Sequence, residues 1–142
     1  MSSRSACIMG EDTRKLRILL VEDNPEDVFL TRKVLRKSGL DGDMQITGDG
    51  AEALRILEDM LRAGEHLPDL ILLDINLPDM GGMAVLKSIK GDARFSRIPV
   101  VMLTCSNADS DIQKSYDLGA STYLVKPVSR DAMILVMRAL FG

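Results

Sequence analysis

The stretch Leu70-Ile71-Leu72-Leu73-Asp74-Ile75-Asn76-Leu77-Pro78 constrains this chain more than any other. Four consecutive apolar residues without alternation describe a strand buried on both faces, as in the middle of a parallel sheet covered by helices. The run then ends on a carboxylate. In open α/β sheets the carboxyl ends of the strands form the edge where ligands bind, so Asp74 falls where chemistry is done. An Asp after a strand also commonly does no more than begin the next turn, and by itself it decides nothing.

The rest of the chain supplies the context. Residues 17–21 read as a second buried strand, which ends in Glu22-Asp23. Asn24 suits the N-cap and Pro25 the first position of a helix with an apolar stripe of Val28, Leu30 or Thr31, Val34 and Leu35. Gly39 is its stop. A weaker strand follows over 43–47, then a helix over 51–63 with Ala53, Leu54, Leu57 and Leu61 on one face. After the strand over 69–74, Gly81-Gly82 opens a third helix facing inward with Val85, Leu86 and Ile89. Residues 98–103 make a fourth strand ending in Thr104, and 109–118 a short helix closed by Gly119. A fifth strand over 121–125 ends in Lys126-Pro127, and a last helix covers about 129–140. Strand and helix alternate five times, which predicts an α/β fold of the (βα)5 type. Its sheet is doubly wound, five-stranded and parallel, in the order 2-1-3-4-5, with right-handed crossovers.

A length of 142 residues predicts one domain, over 16–142, with the polar, aperiodic residues 1–15 as a flexible lead-in. The net charge is -3 and no basic block occurs, which argues against nucleic acid as a partner. No apolar run approaches the ~20 residues of a membrane span, and residues 1–15 lack the apolar core of a signal peptide. A cytoplasmic protein is expected. Cys7 and Cys105 show neither CxxC nor zinc-ligand spacing and suit a reducing compartment, Cys7 as a free thiol of the lead-in.

Parallel strands bring their carboxyl ends to one edge. That edge then carries Glu22 and Asp23, Asp74, Thr104 and Lys126, and the acids converge at the switch point between strands one and three. Two carboxylates ~4 Å apart repel by about 4 kcal/mol at an effective dielectric near 20. Such a cluster keeps a proton or holds a cation, and hard oxygen donors with open positions suit Mg²⁺. Asp74 is then placed to attack phosphorus and form an acyl phosphate, with Lys126 and the Thr104 hydroxyl as donors to phosphoryl oxygens. Separately, Thr in a strand and Lys at a strand end are ordinary. Three acids at the matching edge make the joint reading the stronger one.

These residues resemble the receiver domain of two-component response regulators, the CheY-like fold, over about residues 16–141. The resemblance rests on Ile18-Leu19-Leu20-Val21-Glu22-Asp23-Asn24, on Leu72 to Pro78, on Val100 to Thr104, and on Gly119 to Pro127. It implies that Asp74 takes phosphate from the phosphohistidine of a sensor histidine kinase. It further implies that Glu22, Asp23, Asp74 and the Asn76 carbonyl surround Mg²⁺, and that Lys126-Pro127 is cis. Tyr123 falls at the family's switch aromatic, which turns inward as Thr104 moves toward phosphate. Family analogy makes Asn76 and Ser106 tuners of the phosphoryl lifetime. The usual Asp-Gly is replaced by Gly81-Gly82, and Cys105 takes the small position after Thr104. Asn24 to Leu30, Thr104 to Asn107 and Ser115 to Leu118 look like stand-alone regulators associated with bacterial phytochromes, which puts a phytochrome among the candidate kinases without naming the kinase.

The sequence stops after the fifth helix, so output is expected through a protein contact or onward phosphotransfer. Ala132, Leu135, Val136 and Ala139 read as the core stripe of that helix, yet Met133, Ile134, Met137, Leu140 and Phe141 are apolar too. A helix apolar nearly all round is usually buried on a second side. The fourth helix, fifth strand and fifth helix, with Tyr116 and Tyr123 nearby, are therefore expected to form a homodimer or partner face; burial by the chain's own tail is the alternative. A flavodoxin-like FMN carrier needs a hydroxyl- and glycine-rich loop where Glu22-Asp23 stands. A haloacid-dehalogenase-type phosphatase needs its Asp on the first strand within DxDx[TV]. A phosphorylation-independent pseudo-receiver adaptor is the serious rival, though it has no use for the full acid, Thr and Lys set.

Overall fold

The computed structural model describes residues 16–40, 42–105 and 109–142. The lead-in 1–15 with Cys7, and likewise Ser106 and Asn107, lie outside the described residues. The elements are β1 (Arg17–Val21), α1 (Pro25–Lys37), β2 (Asp43–Thr47), α2 (Gly50–Arg62), β3 (Leu70–Asp74), α3 (Gly82–Lys90), β4 (Val100–Thr104), α4 (Asp109–Asp117), β5 (Thr122–Val125) and α5 (Arg130–Phe141). The five strands form one sheet in the order β2-β1-β3-β4-β5, all parallel, as expected.

Unbroken apolar runs make β1, β3 and β4 the buried middle of the sheet, while β2 at the edge keeps only Thr47 buried. Two cores result. Leu19, Val21, Ile71, Leu73, Val100 and Met102 meet Ala53 and Leu57 of α2 and Val85, Leu86 and Ile89 of α3. Ile18, Leu20, Leu70, Leu72, Val101 and Leu103 meet Leu35 of α1 and Met133 and Met137 of α5. Ser115 of α4 donates to Met83 Sδ at 3.7 Å, which ties α4 to α3.

The helix starts follow their caps. Asn24 Oδ1 accepts from the amides of Glu26 and Asp27, with Pro25 at the first helical position. Asp49 and Ser129 cap α2 and α5 in the same way. On α1 the stripe runs through buried Thr31 rather than Leu30.

Two helices differ from expectation in part. On α5 the buried residues are Met133 and Met137; Ala132 and Val136 of the expected stripe pack beside them, while Leu135 is 66% exposed and Ala139 also faces out. Apolar residues all round this helix remove the contrast that fixes a phase in sequence, and the i, i+4 methionine pair takes the sheet side. On α2, Leu61 in the last turn is exposed, because the helix has by then run past the sheet. Strands β3 and β4 also begin later than expected, at Leu70 and Val100. Asp69 bonds Arg17 twice, its carboxylate accepting the Arg17 amide and its own amide donating to the Arg17 carbonyl, both at 2.8 Å, and Pro99 has no amide for a ladder.

Candidate functional site

The strand ends are stitched in sequence across the carboxyl edge. The Glu22 amide donates to the Thr47 carbonyl, the Ile75 amide to Leu103, and the Lys126 amide to Thr104, at 2.9, 3.0 and 2.7 Å. This brings Glu22, Asp23, Asp74, Thr104 and Lys126 to one edge, as parallel pairing requires. The Lys126-Pro127 bond is cis.

Lys126 is the hub. Its ammonium donates to Glu22 Oε1 and Asp27 Oδ2, both at 3.0 Å, and stands 3.4 Å from Asp74 Oδ1. The other Glu22 oxygen accepts the Asn24 amide at 3.2 Å, and Asp74 Oδ1 accepts the Asn76 amide at 3.0 Å. Burial pushes Glu22 up to about 7, with Asp74 adding repulsion and the Lys126 bond opposing both. Burial alone would depress Lys126, but its bonds to Asp27 and Glu22 and the charge of Asp74 outweigh this and hold it above the ordinary lysine range.

Carboxylate oxygens of Glu22, Asp23 and Asp74 lie within 4.8 Å of one another; Glu22 and Asp74 are buried and Asp23 is exposed. Three hard oxygen donors with one side open to solvent fit a divalent cation that keeps water or a phosphoryl oxygen among its ligands. Glycine makes room for the cluster at two places. An added Cβ at Gly48 would lie 3.0 Å from Asp23 Cα, and one at Gly82 would lie 2.1 Å from the Asp74 carbonyl oxygen. Gly82 therefore starts α3 against the end of β3, with its amide on the Ile75 carbonyl at 2.8 Å. Gly81 precedes it at φ 78°, a conformation an Asp would adopt less readily.

Thr104 is buried at the end of β4. Tyr123, two residues earlier on the neighbouring strand β5, is half-buried against the α2–α3 core, and its ring meets Tyr116 edge to face with centroids 6.3 Å apart. Cys105 is an exposed free thiol.

Two contributors were not expected. Asp27 sits in the first turn of α1, where an acid is an ordinary capping and dipole residue, so its bond to Lys126 leaves no separate trace in sequence. Asp79 accepts from the Gly50 and Ala51 amides at 3.0 Å each, pinning the loop after β3 to the start of α2. Those bonds hold its carboxyl well below the usual range, and the pairing spans 29 residues that no local pattern connects.

Residues 18–138 match the response regulator receiver domain family. The chain is a receiver domain. Response regulator Rcp1 of Synechocystis sp. is 42% identical over 113 residues, covering 77% of this chain and 75% of that protein. The structure of the Mn²⁺-bound form of Rcp1 superposes with a TM-score of 0.72 at 38% identity, over 87% of this chain and 90% of that one. Bacteriophytochrome response regulator RtBRR gives 0.80 at 39% identity, over 89% and 78%. The phosphorylated cyanobacterial phytochrome response regulator RcpA gives 0.74 at 37%, over 89% and 91%. Receiver domains are phosphorelay signalling proteins that work opposite a histidine kinase, not classical enzymes, and this receiver has their CheY-like fold. The adaptor reading is not favoured. Among the described residues no helix is long and apolar enough to cross a membrane.

Proposed function

We propose that this receiver accepts a phosphoryl group on Asp74 from the phosphohistidine of a sensor histidine kinase, with Mg²⁺ held by Glu22, Asp23, Asp74 and the Asn76 carbonyl. The observation that carries this is the Lys126 ammonium held between buried acids 3.4 Å from Asp74. An Asp74 oxygen attacks phosphorus; an O–P bond forms as the P–N bond to the imidazole breaks. The departing nitrogen keeps the P–N electron pair, and the imidazole leaves neutral either because its other ring nitrogen already carries a proton or because the departing nitrogen takes one from solvent. When bound, Mg²⁺ offsets the charge of the acids and of the phosphoryl oxygens. Lys126 pairs with one phosphoryl oxygen and the Thr104 hydroxyl donates to another.

Thr104 and Tyr123 are the switch. Moving a two-state equilibrium from 1:99 to 99:1 takes about 5.5 kcal/mol. A charge-assisted bond from Thr104 supplies roughly 1.5–3 kcal/mol, so Lys126 and the repacking of Tyr123 against Tyr116 supply the balance. The output face is α4, β5 and α5, where Tyr116, Val125 and Leu135 are exposed, and it takes a second copy or a downstream protein. The kinship with RtBRR and RcpA supports a phytochrome as the kinase, and the absence of a spanning helix among the described residues suits the cytoplasm.

Intact-protein mass after incubation with acetyl phosphate and Mg²⁺ tests the reading. One phosphoryl adduct is expected, absent from Asp74→Asn and from a chelator control. No adduct with acetyl phosphate or any histidine kinase donor overturns it.

A further inference from the structure

We propose that Asp27 is a positioning residue that competes with the phosphoryl group for Lys126, and so sets how firmly the phosphorylated state is held. The inference rests on the reading of Asp74 as phosphoacceptor.

An ammonium has three N–H bonds and no more. In this site Glu22 and Asp27 each take one at 3.0 Å, and Asp74 at 3.4 Å occupies the third side. A phosphoryl oxygen on Asp74 inherits that third side, and must share the ammonium with the two carboxylates already bonded to it. The three carboxylates differ in what yielding costs. The side chains of Glu22 and Asp74 are 0% and 3% exposed and gain no water on release, but phosphorylation turns the Asp74 carboxylate into an acyl phosphate and the proposed Mg²⁺ offsets the charge of Glu22. Asp27 is 25% exposed and can be hydrated on release. It also stands in the first turn of α1, whose N-terminal amides and dipole favour a negative charge with or without Lys126. Neither metal nor phosphoryl claims Asp27, so it is the partner left competing for Lys126, and hydration lets it go when the phosphoryl oxygen wins.

The consequence is a built-in opposition. Without phosphate, Asp27 draws the ammonium toward α1; with phosphate, the new oxygen must win it back. Asp27 also lies in the same turn as Asn24 and Glu26, so its release is felt first at the start of α1.

The test measures beryllofluoride affinity in the presence of Mg²⁺, by ¹⁹F NMR, for wild type, Asp27→Asn, Asp27→Ser, Asp27→Glu and Glu26→Gln. Far-UV circular dichroism checks that each variant is folded. Asp27→Asn and Asp27→Ser are expected to bind roughly threefold to tenfold tighter, the range of a partly solvated ion pair removed as competitor. The decay of their acetyl-phosphate adducts should slow in parallel. Asp27→Glu should return affinity toward wild type. Glu26→Gln, which removes the same charge one residue away, should change little. Equal affinity in wild type, Asp27→Asn and Asp27→Ser overturns the inference, as does an equal gain in Glu26→Gln, which would reduce the effect to net charge. If wild type binds no beryllofluoride and takes no phosphate, the phosphoacceptor reading fails and the inference goes with it.

Discussion

Gly82 sits so close to the end of β3 that an added Cβ would lie 2.1 Å from the Asp74 carbonyl oxygen and 2.7 Å from Ile75 Cα. Both neighbours are backbone, and neither can swing aside. The neighbouring Gly81 has open space around it but a φ of 78°. The two glycines therefore answer different demands, one for room and one for conformation.

Gly82→Ala should lower stability by about 2–3 kcal/mol, the cost of overpacking that only a backbone shift can relieve. The shift falls on Asp74, so acetyl-phosphate labelling should fall even in the folded fraction. Gly81→Ala should cost about 1–2 kcal/mol through its left-handed conformation and leave labelling of folded protein nearly intact. Urea unfolding and intact mass on the pair separate the effects.

Asp79→Asn should weaken the tie between the loop after β3 and α2. Its carboxyl is depressed in the folded state by the Gly50 and Ala51 amides, so its contribution is complete above the unfolded value near 4 and fades as pH falls through the folded one. The variant should lose stability at neutral pH and show a shallower loss below pH 4 than wild type. Thermal unfolding from pH 2 to 7 checks both.

How much was legible follows from how local each signal is. The apolar runs of β1, β3 and β4 and the shorter β5, each ending in or just before its own polar residue, carry fold and site in the same few letters, so Glu22, Asp23, Asp74, Thr104 and Lys126 could be placed at one edge from the sequence. Asp27 hid behind a more ordinary role in its own helix. Asp79 acts across 29 residues, with nothing in its neighbourhood to mark the partner. On α5 only half of the stripe was legible, Ala132 and Val136, because a helix apolar nearly all round gives little contrast between faces.

Glu22 has a folded value of about 7 against 4.5 in the unfolded chain, so without metal the folded state binds more protons between those values. Metal-free stability should therefore decline as pH rises from about 4.5 to 7, by at most tenfold in the folding equilibrium per unit, and level off above. Divalent metal must displace that proton, so its affinity should rise over the same window and plateau beyond pH 7. Urea midpoints with Mg²⁺ and with chelator at pH 5, 6, 7 and 8 should converge at the acid end and separate at the alkaline end. Parallel curves would count against Glu22 as the titrating ligand.

Glu22 and Lys126 touch across 104 intervening steps of sequence, and Asp27 and Lys126 across 99. During synthesis at about 5–20 residues per second, the acids of β1 wait roughly 5 to 20 seconds for the cation that pairs with them. Until then Glu22, Asp27 and Asp74 lack the ammonium that they share in the folded domain. The proposed site is thus completed only when β5, the last strand, has been made. A chain interrupted before β5 carries the phosphoacceptor but lacks the lysine that the proposed transfer uses.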